Sequence, residues 1–259
     1  MNRQKIVAGN WKMNLNYAQA MTLSDAIAAG VNEDISCEII LAPAFVYLQD
    51  VLRRVGHRDC ISVAAQNLSE KEQGAFTGEV SGAMLSSIGI DFVIIGHSER
   101  REYFSETDKL LAAKVNRALE NGISPIFCCG ERLPDRESNK QLEIVKVQLE
   151  EALFHLTEDQ MSEMIIAYEP VWAIGTGKTA TAAQAQEMHA FIRNLISKHY
   201  PNAADKIRII YGGSVTAANA KDLFSGADVD GALVGGASLK VADFLLIIND
   251  CEAKGRGQA

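Results

Sequence analysis

The chain has 259 residues, of which 22% are charged, and its formal charge at pH 7 is −8. This length is compatible with one α/β barrel domain or with two smaller domains, and no Pro- or Ser-rich stretch marks a linker between two. The acidic balance argues against general affinity for nucleic acid or for anionic membranes, because both need a basic protein surface. An anionic ligand would have to be bound by local groups.

The cysteines and the apolar runs limit the redox chemistry and the location that we expect. Five cysteines occur without paired CxxC spacing: Cys37, Cys60, Cys128, Cys129 and Cys251. We therefore predict reduced thiols, no disulfide framework and no metal site. The first apolar run begins at Ile6 and no run approaches the length of a membrane span, so we expect a soluble, cytoplasmic protein without a membrane or nucleic-acid partner. We predict one domain over residues 1–250 and a flexible tail over residues 251–259.

Eight short apolar runs alternate with helical patterns along the chain. In chain order, the runs cover residues 6–9, 39–42, 61–65, 92–95, 123–128, 165–168, 207–211 and 231–234. Between them, apolar residues recur at helical spacing, as in Ala185, Met188, Ile192 and Ile196. This alternation predicts a single-domain (β/α)₈ TIM barrel, a parallel eight-stranded barrel with outer helices. A doubly wound open sheet is the alternative architecture.

Polar side chains and glycine pairs follow these predicted strands. They include Asn10, Lys12, Gln66, His97, Glu169, Gly212, Gly213, Ser214, Gly235 and Gly236. The carboxyl ends of the strands of a parallel barrel meet at one face, so we expect Lys12, His97 and Glu169 to be neighbours. Glycine pairs after the last two strands coincide with the place where barrels commonly bind phosphate. Singly, each of these residues is also compatible with a solvated charge, a structural histidine or a turn.

The loop that follows Glu169 overlaps two nucleotide-binding motifs. Residues 177–179 end like a phosphate-binding P-loop, but Trp172 stands where that motif needs a glycine. Gly175, Gly177 and Ala180 match the dinucleotide pattern G-x-G-x-x-A. However, residues 170–174 separate the strand from the first glycine, where that fold needs a tight turn. Neither motif predicts a nucleotide site here.

Six segments resemble the triosephosphate isomerase family, in the family's order and along essentially the whole chain. They are GNWKMN from Gly9, GAFTGE from Gly74, IIGHSERR from Ile94, AYEPVWAIGTGKT from Ala167, YGGSV from Tyr211 and LVGGASL from Leu233. The resemblance implies an isomerase that interconverts dihydroxyacetone phosphate and D-glyceraldehyde 3-phosphate through an enediol(ate), in glycolysis and gluconeogenesis. It also implies a homodimer that needs neither cofactor nor metal.

The resemblance further implies a role for individual residues. Glu169 would be the catalytic base, His97 a neutral imidazole that polarises the carbonyl, and Lys12 and Asn10 would hold the substrate. Backbone N–H groups would bind the phosphate at Gly175, Ser214, Gly235 and Gly236. A mobile lid would consist of Val171, Trp172, Ala173, Ile174, Gly175, Thr176, Gly177 and Lys178. Thr77 would insert into the partner subunit.

Two other functions remain as alternatives at this point. One is another phosphate-binding barrel, such as an aldolase or an isomerase of a different sugar phosphate. Schiff-base chemistry would need a desolvated lysine within a strand, and none of the eight runs contains one. The other is a scaffold or adhesion protein that has kept the barrel but lost activity, and the presence of Glu169 and His97 argues against it. Cys129 departs from the family pattern and would be sensitive to oxidation if it were exposed.

Overall fold

Eight parallel strands close into a barrel in a computed structural model of the chain, which describes residues 3–32, 34–174 and 179–256. The strands are β1 Ile6–Asn10, β2 Glu38–Ala42, β3 Ile61–Ala65, β4 Phe92–Ile95, β5 Ser124–Cys129, β6 Ile165–Tyr168, β7 Arg208–Tyr211 and β8 Gly231–Val234. Each strand pairs with its neighbours in sequence, and β1 also pairs with β8. The predicted barrel is therefore confirmed, and the open-sheet alternative is wrong because this last pairing leaves no sheet edge.

Helices surround the barrel and connect its strands. The α-helices are α1 Tyr17–Gly30, α2 Leu48–Val55, α3 Gly82–Ser87, α4 Ser98–Tyr103, α5 Asp108–Glu120, α6 Leu133–Glu137, α7 Gln141–Leu153, α8 Glu158–Ser162, α9 Ala182–His199, α10 Ala220–Phe224 and α11 Val241–Arg256. Single 3₁₀ turns cover Phe45–Tyr47, Val171–Ala173 and Gly236–Leu239. Within the described ranges, no helix combines the length and the apolar composition that crossing a membrane requires.

The strands are apolar on both faces because each face is buried. One set of side chains fills the barrel interior, including Ile6, Ala8 and Ile40. The alternate set, including Val7 and Ile39, packs against the outer helices. This double burial explains why the strands are predictable as continuous apolar runs.

The seam between β1 and β8 depends on a glycine. Gly231 has a φ of 144°, and a Cβ atom added there would lie 1.7 Å from the carbonyl oxygen of Ile6. Any other residue would have to move the β1 backbone, so the closure of the barrel requires glycine at this position.

A buried carboxylate ties the amino-terminal end of the barrel together. Asp230 is fully buried and lies 2.7 Å from Arg193 of α9 and 2.8 Å from Arg3. It also accepts a hydrogen bond from the backbone N–H of Ile209 at 2.9 Å. These bonds connect β7, β8, α9 and the start of the chain on the face opposite to the predicted active site.

The predicted boundary of the carboxyl-terminal tail is wrong. Residues 251–256 continue α11, and Cys251 is fully buried. Glu252 accepts hydrogen bonds from the backbone N–H groups of Ser36 at 3.1 Å and Cys37 at 2.9 Å. The polar composition of this segment suggested a tail. The structure instead holds it by the apolar face of α11 and by these hydrogen bonds to Glu252. The remainder of the predicted tail, residues 257–259, lies outside the described residues.

All five thiols are free. Cys128 and Cys129 are almost completely inaccessible, and burial raises the pKa of both thiols. The thiolate is the reactive form of cysteine, so the doubled cysteine is not an oxidation-sensitive site in the folded protein.

Candidate active site

A cavity of about 350 Å³ opens at the carboxyl ends of the strands. This volume lies in the range that suits a small ligand. The predicted residues that line it are Asn10, Lys12, His97, Ile174, Glu169, Ser214, Gly235 and Gly236. The cavity therefore brings together residues that follow five different strands of the barrel.

Glu169 is delivered to the cavity by the end of β6. Its backbone N–H makes the last ladder bond to the carbonyl of Cys129 at 2.7 Å, and Pro170 then stops the strand because it has no N–H to donate. The side chain is 2% exposed, and its Oε2 accepts a hydrogen bond from the backbone N–H of Ser98 at 2.8 Å. Oε1 lies 3.1 Å from Nε2 of His97, but the ring N–H does not align with it. Among the described residues, no donor is therefore aligned with Oε1. This oxygen keeps a lone pair that can accept a proton.

His97 caps the amino terminus of α4. Its Nδ1 accepts a hydrogen bond from the backbone N–H of Glu99 at 3.3 Å. A carboxylate oxygen of Glu99 also lies 3.5 Å from Nδ1, at a longer distance than this fixed backbone donor. The backbone bond uses the lone pair on Nδ1, so the N–H that the ring offers in this arrangement is on Nε2. His97 therefore presents a ring N–H at the end of the cavity where Glu169 lies.

Lys12 is held in a strained backbone conformation. Its φ is 52°, which is unfavourable for any residue with a Cβ atom. Side chains bind both of its backbone polar groups: Asn10 accepts from its N–H at 2.9 Å, and Gln66 donates to its carbonyl at 2.9 Å. The ammonium group forms an ion pair with Glu99 at 2.6 Å. This arrangement points a positive charge into the cavity of an acidic protein.

The turns after β7 and β8 form another wall of the cavity. A Cβ atom at Gly212 would lie 2.8 Å from Cγ of Glu169, so glycine there lets the β7 turn approach the carboxylate. Gly235 lies close to Lys12, since a Cβ atom there would be 3.7 Å from Cε of the lysine. Ser214 and Gly236 line the same wall. The fourth predicted phosphate-binding residue, Gly175, lies outside the described residues.

The first part of the predicted lid is anchored by a buried carboxylate that the sequence reasoning did not assign to the site. Glu131 is fully buried and accepts hydrogen bonds from the hydroxyl of Tyr168 at 3.0 Å and from the indole N–H of Trp172 at 2.8 Å. Burial raises the pKa of the Glu131 carboxyl, and these two donors oppose that effect. The remaining predicted lid residues, 175–178, lie outside the described residues.

Two further residues of the site were missed from sequence. They are Ser98, which supplies the N–H that holds Glu169, and Glu99, which contacts both His97 and Lys12. The only sequence signal for them is their position directly after His97, in the first turn of α4. In the described part of the chain, no group of three or more His, Cys, Asp and Glu side chains could hold a metal ion.

Thr77 does not reach the cavity of its own chain. It lies in the exposed part, residues 71–79, of the loop 66–79, next to Phe76, which is 43% exposed. A second groove, of about 460 Å³, adjoins the cavity and shares Asn10, Lys12 and His97 with it.

Known proteins are similar to this chain along most of its length. A sequence model of the triosephosphate isomerase family matches residues 5–251. The triosephosphate isomerase of Porphyromonas gingivalis is 53% identical over 248 residues, which cover 95% of this chain and 98% of the relative. The triosephosphate isomerase of Bacteroides fragilis is 51% identical over 249 residues, with 95% and 98% covered. That of Flavobacterium johnsoniae is 50% identical over 247 residues, again with 95% and 98% covered.

Proposed function

The chain belongs to the triosephosphate isomerase family, and we propose that Asn10, Lys12, His97 and Glu169 are its catalytic residues. The enzyme interconverts dihydroxyacetone phosphate and D-glyceraldehyde 3-phosphate, a step of glycolysis and gluconeogenesis. The observation that carries the assignment of the site is the pair formed by Oε1 of Glu169 and Nε2 of His97, 3.1 Å apart in the wall of a cavity that also contains Lys12.

The activity itself is tested by a coupled assay of aldehyde formation from dihydroxyacetone phosphate. Turnover by the purified protein is the expected result. A folded sample that binds glycerol 3-phosphate but does not turn over the ketose would contradict the assigned activity and would favour a protein that only binds.

Glu169 acts as the base. Isomerisation requires the removal of a proton from the carbon next to the carbonyl and the return of a proton to the neighbouring carbon. Oε2 of Glu169 is bound by the N–H of Ser98, which leaves Oε1 to take and return that proton. The carboxylate is 2% exposed, so little water surrounds it.

His97 and Lys12 stabilise the charge that develops on oxygen. Removal of the proton creates an enediolate, and donors aimed at its oxygens lower the energy of the transition state. The Nε2–H group of His97 is one such donor, and the ammonium group of Lys12 adds a full positive charge. Asn10 contributes through its side-chain oxygen, which accepts a hydrogen bond from the backbone N–H of Lys12 at 2.9 Å and so fixes the backbone of that residue. The Lys12–Glu99 ion pair, with side chains 26% and 41% exposed, leaves the ammonium accessible to an anionic ligand.

The phosphate group binds at the wall formed by the β7 and β8 turns. We assign it to the backbone N–H groups of Ser214, Gly235 and Gly236, with Gly175 as a fourth member. Glycine lets an anion approach the backbone closely, and successive backbone N–H groups form a concave anion site. Lys12 lies beside Gly235, so it contributes to phosphate binding as well.

Residues 171–178 form a lid that closes over the cavity and excludes water, which protects the enediolate from losing its phosphate. The observation that supports this role is the bond from Trp172 to the buried Glu131, which ties the start of the segment to the turn after β5. Saturating glycerol 3-phosphate should therefore change the emission of Trp172, measured in a Trp11→Phe variant. The matched Trp172→Phe variant reports Trp11, the competing emitter. Unchanged Trp172 emission at saturation would count against the lid.

The active enzyme is a homodimer in which Thr77 of one subunit completes the site of the other. The groove beside the active site exposes large apolar side chains: Met13 is 96% exposed, Tyr103 is 74% exposed and Phe104 is 63% exposed. The same chain projects the loop 66–79, which carries the exposed Phe76 and Thr77. Two copies can exchange these features about a two-fold axis, so that each groove is covered by the other's loop.

Thr77→Arg should separate the subunits and lower activity at the same time. A long charged side chain cannot be buried in an apolar groove without a partner. We expect a lower mass in sedimentation velocity and a fall in kcat/KM on the order of tenfold or more, because the neighbouring catalytic groups lose their support. Thr22→Arg, on the exposed face of α1, is the matched control and should leave both quantities unchanged. A fully active monomer would contradict the proposal.

An aldolase that uses a Schiff base is not supported by the site. None of the eight strands carries a lysine, and Lys114, the buried lysine of α5, is bound to Glu106 and Asn67 at 2.7 Å each. A lysine nucleophile needs an unpaired amine, and the amine of Lys114 is paired.

A further inference from the structure

Gln148 of α7 clamps the peptide groups of Gly130, the first residue after β5. Its Oε1 accepts a hydrogen bond from the backbone N–H of Gly130 at 2.8 Å, and its Nε2 donates to the carbonyl of Gly130 at 3.1 Å. The amide thus satisfies the donor and the acceptor of a single residue at once. Asparagine, glutamate or an apolar side chain could not reproduce both bonds at this distance.

The clamped residue lies directly against the backbone of the catalytic base. A Cβ atom added to Gly130 would be 1.6 Å from the carbonyl oxygen of Glu169 and 2.6 Å from its carbonyl carbon. The backbones of the two residues are therefore in contact, with no room for a side chain between them. Two backbone hydrogen bonds flank this contact, from the N–H of Glu169 to the carbonyl of Cys129 at 2.7 Å and from the N–H of Val171 to the carbonyl of Glu131 at 3.1 Å. The position of Gly130 consequently limits where the backbone of Glu169 can lie.

A small cavity lies behind this contact. It has a volume of about 220 Å³ and is lined by Ser98, Gly130, Gln148 and Val171, among others. Ser98 is the residue whose N–H holds Oε2 of Glu169. The site is polar and large enough for several water molecules. Without the Gln148 amide, water can solvate the Gly130 peptide, but it cannot hold that peptide in one place.

From this geometry we propose that Gln148 is a positioning residue that acts through Gly130 to fix the carboxylate of Glu169. The inference rests on the proposed role of Glu169 as the base. It explains why a helix on the outside of the barrel sends a polar side chain to the carboxyl end of β5, where an ordinary barrel helix would present an apolar one. Proton transfer is sensitive to displacements of less than 1 Å, so a loosened Gly130 should affect turnover rather than substrate binding.

Gln148→Met keeps the length of the side chain and removes both hydrogen bonds. We expect kcat to fall about tenfold, while KM changes by less than about twofold because the phosphate site is untouched. The thermal midpoint should fall by no more than about 4 °C, since water replaces the lost bonds. Gln141→Met is the matched control: Gln141 lies on the same helix and does not touch Gly130. It should leave kcat unchanged.

The Glu169→Asp background separates positioning from a general effect on stability. If Gln148 acts through Glu169, then Gln148→Met should cost less than about threefold in kcat once the carboxylate has already been displaced. Gln148→Glu is the second variant, because it keeps an acceptor for the N–H of Gly130 but opposes its carbonyl with a carboxylate. It should also lower kcat with little change in KM, which keeps the test open if the methionine variant is poorly folded.

Two results would overturn the inference. One is a kcat for both Gln148 variants within twofold of the Gln141→Met control. The other is a full, multiplicative loss of kcat in the Glu169→Asp background, which would show that Gln148 acts independently of the base. Failure of the proposed function gives a different pattern, because the wild type and Glu169→Asp would then have equal turnover.

Discussion

Glu169→Gln should lower kcat by on the order of a thousandfold, because general base catalysis by a positioned side chain contributes roughly 10² to 10⁴. The amide is nearly the same size as the carboxylate and can still accept the N–H of Ser98, so the fold and the phosphate site should be retained. KM should therefore change little. The measurement is the steady-state rate in the coupled assay, together with the affinity for glycerol 3-phosphate.

Two companion variants show whether position or charge is responsible. Glu169→Asp keeps the carboxylate but withdraws it by about one methylene, and it should cost on the order of a hundredfold if geometry governs proton transfer. Glu120→Gln, at an exposed position of α5, removes the same charge elsewhere and should have no effect on kcat. An unaffected rate in either Glu169 variant would remove this residue from the mechanism.

Lys12→Met should lower kcat/KM by on the order of 10² to 10³, the range found when a donor to a developing oxyanion is removed. We expect kcat to fall and KM to rise, because the ammonium group lies near the proposed position of the substrate oxygens and beside Gly235 of the phosphate wall. Loss of the cation also leaves the carboxylate of Glu99 unpaired near Nδ1 of His97. An unpaired carboxylate there repels the negative charge that develops on the substrate oxygens.

A second lysine of the same cavity provides the control for this variant. Lys240 also lines the cavity wall, but its side chain is 75% exposed and its Nζ lies 3.9 Å from Asp243. Lys240→Met should change kcat/KM by only a few fold, through weaker attraction of the anionic substrate, and this effect should vanish at high salt. An equal loss of kcat/KM in the two variants would mean that activity depends only on the total positive charge of the cavity and not on the position of Lys12.

The barrel was predictable because each of its strands is a continuous apolar run in the sequence. Each strand is apolar on both faces, and the predicted bounds differ from the observed ones by one residue at most, as for β5, Ser124–Cys129. Helix α9 was also predicted by its apolar spacing, and Ala185, Met188, Ile192 and Ile196 are indeed buried. The end of α11 was missed because polar residues dominate its last turns, while Glu252 is held by distant backbone groups that no local pattern reveals.

The proximity of the proposed catalytic side chains was predictable for a related reason. Lys12, His97 and Glu169 each follow a strand, and the topology of a parallel barrel converts that position into proximity. Glu99, Glu131 and Gln148 act through contacts across 87, 41 and 18 positions of the chain. Such contacts depend on how loops and helices pack, which neither composition nor periodicity encodes. The supporting residues of this site therefore emerge only from the structure.

Conversion of dihydroxyacetone phosphate in heavy water, followed by proton NMR, tests most directly whether Glu169 moves a proton through an enediolate. A carboxylate that takes a proton can exchange it with solvent before returning it to the neighbouring carbon. Proton transfer by Glu169 predicts deuterium at C2 of the D-glyceraldehyde 3-phosphate formed by the wild type, and loss of both turnover and incorporation in Glu169→Gln. Product formation by Glu169→Gln at the wild-type rate, with or without deuterium at C2, would contradict this mechanism.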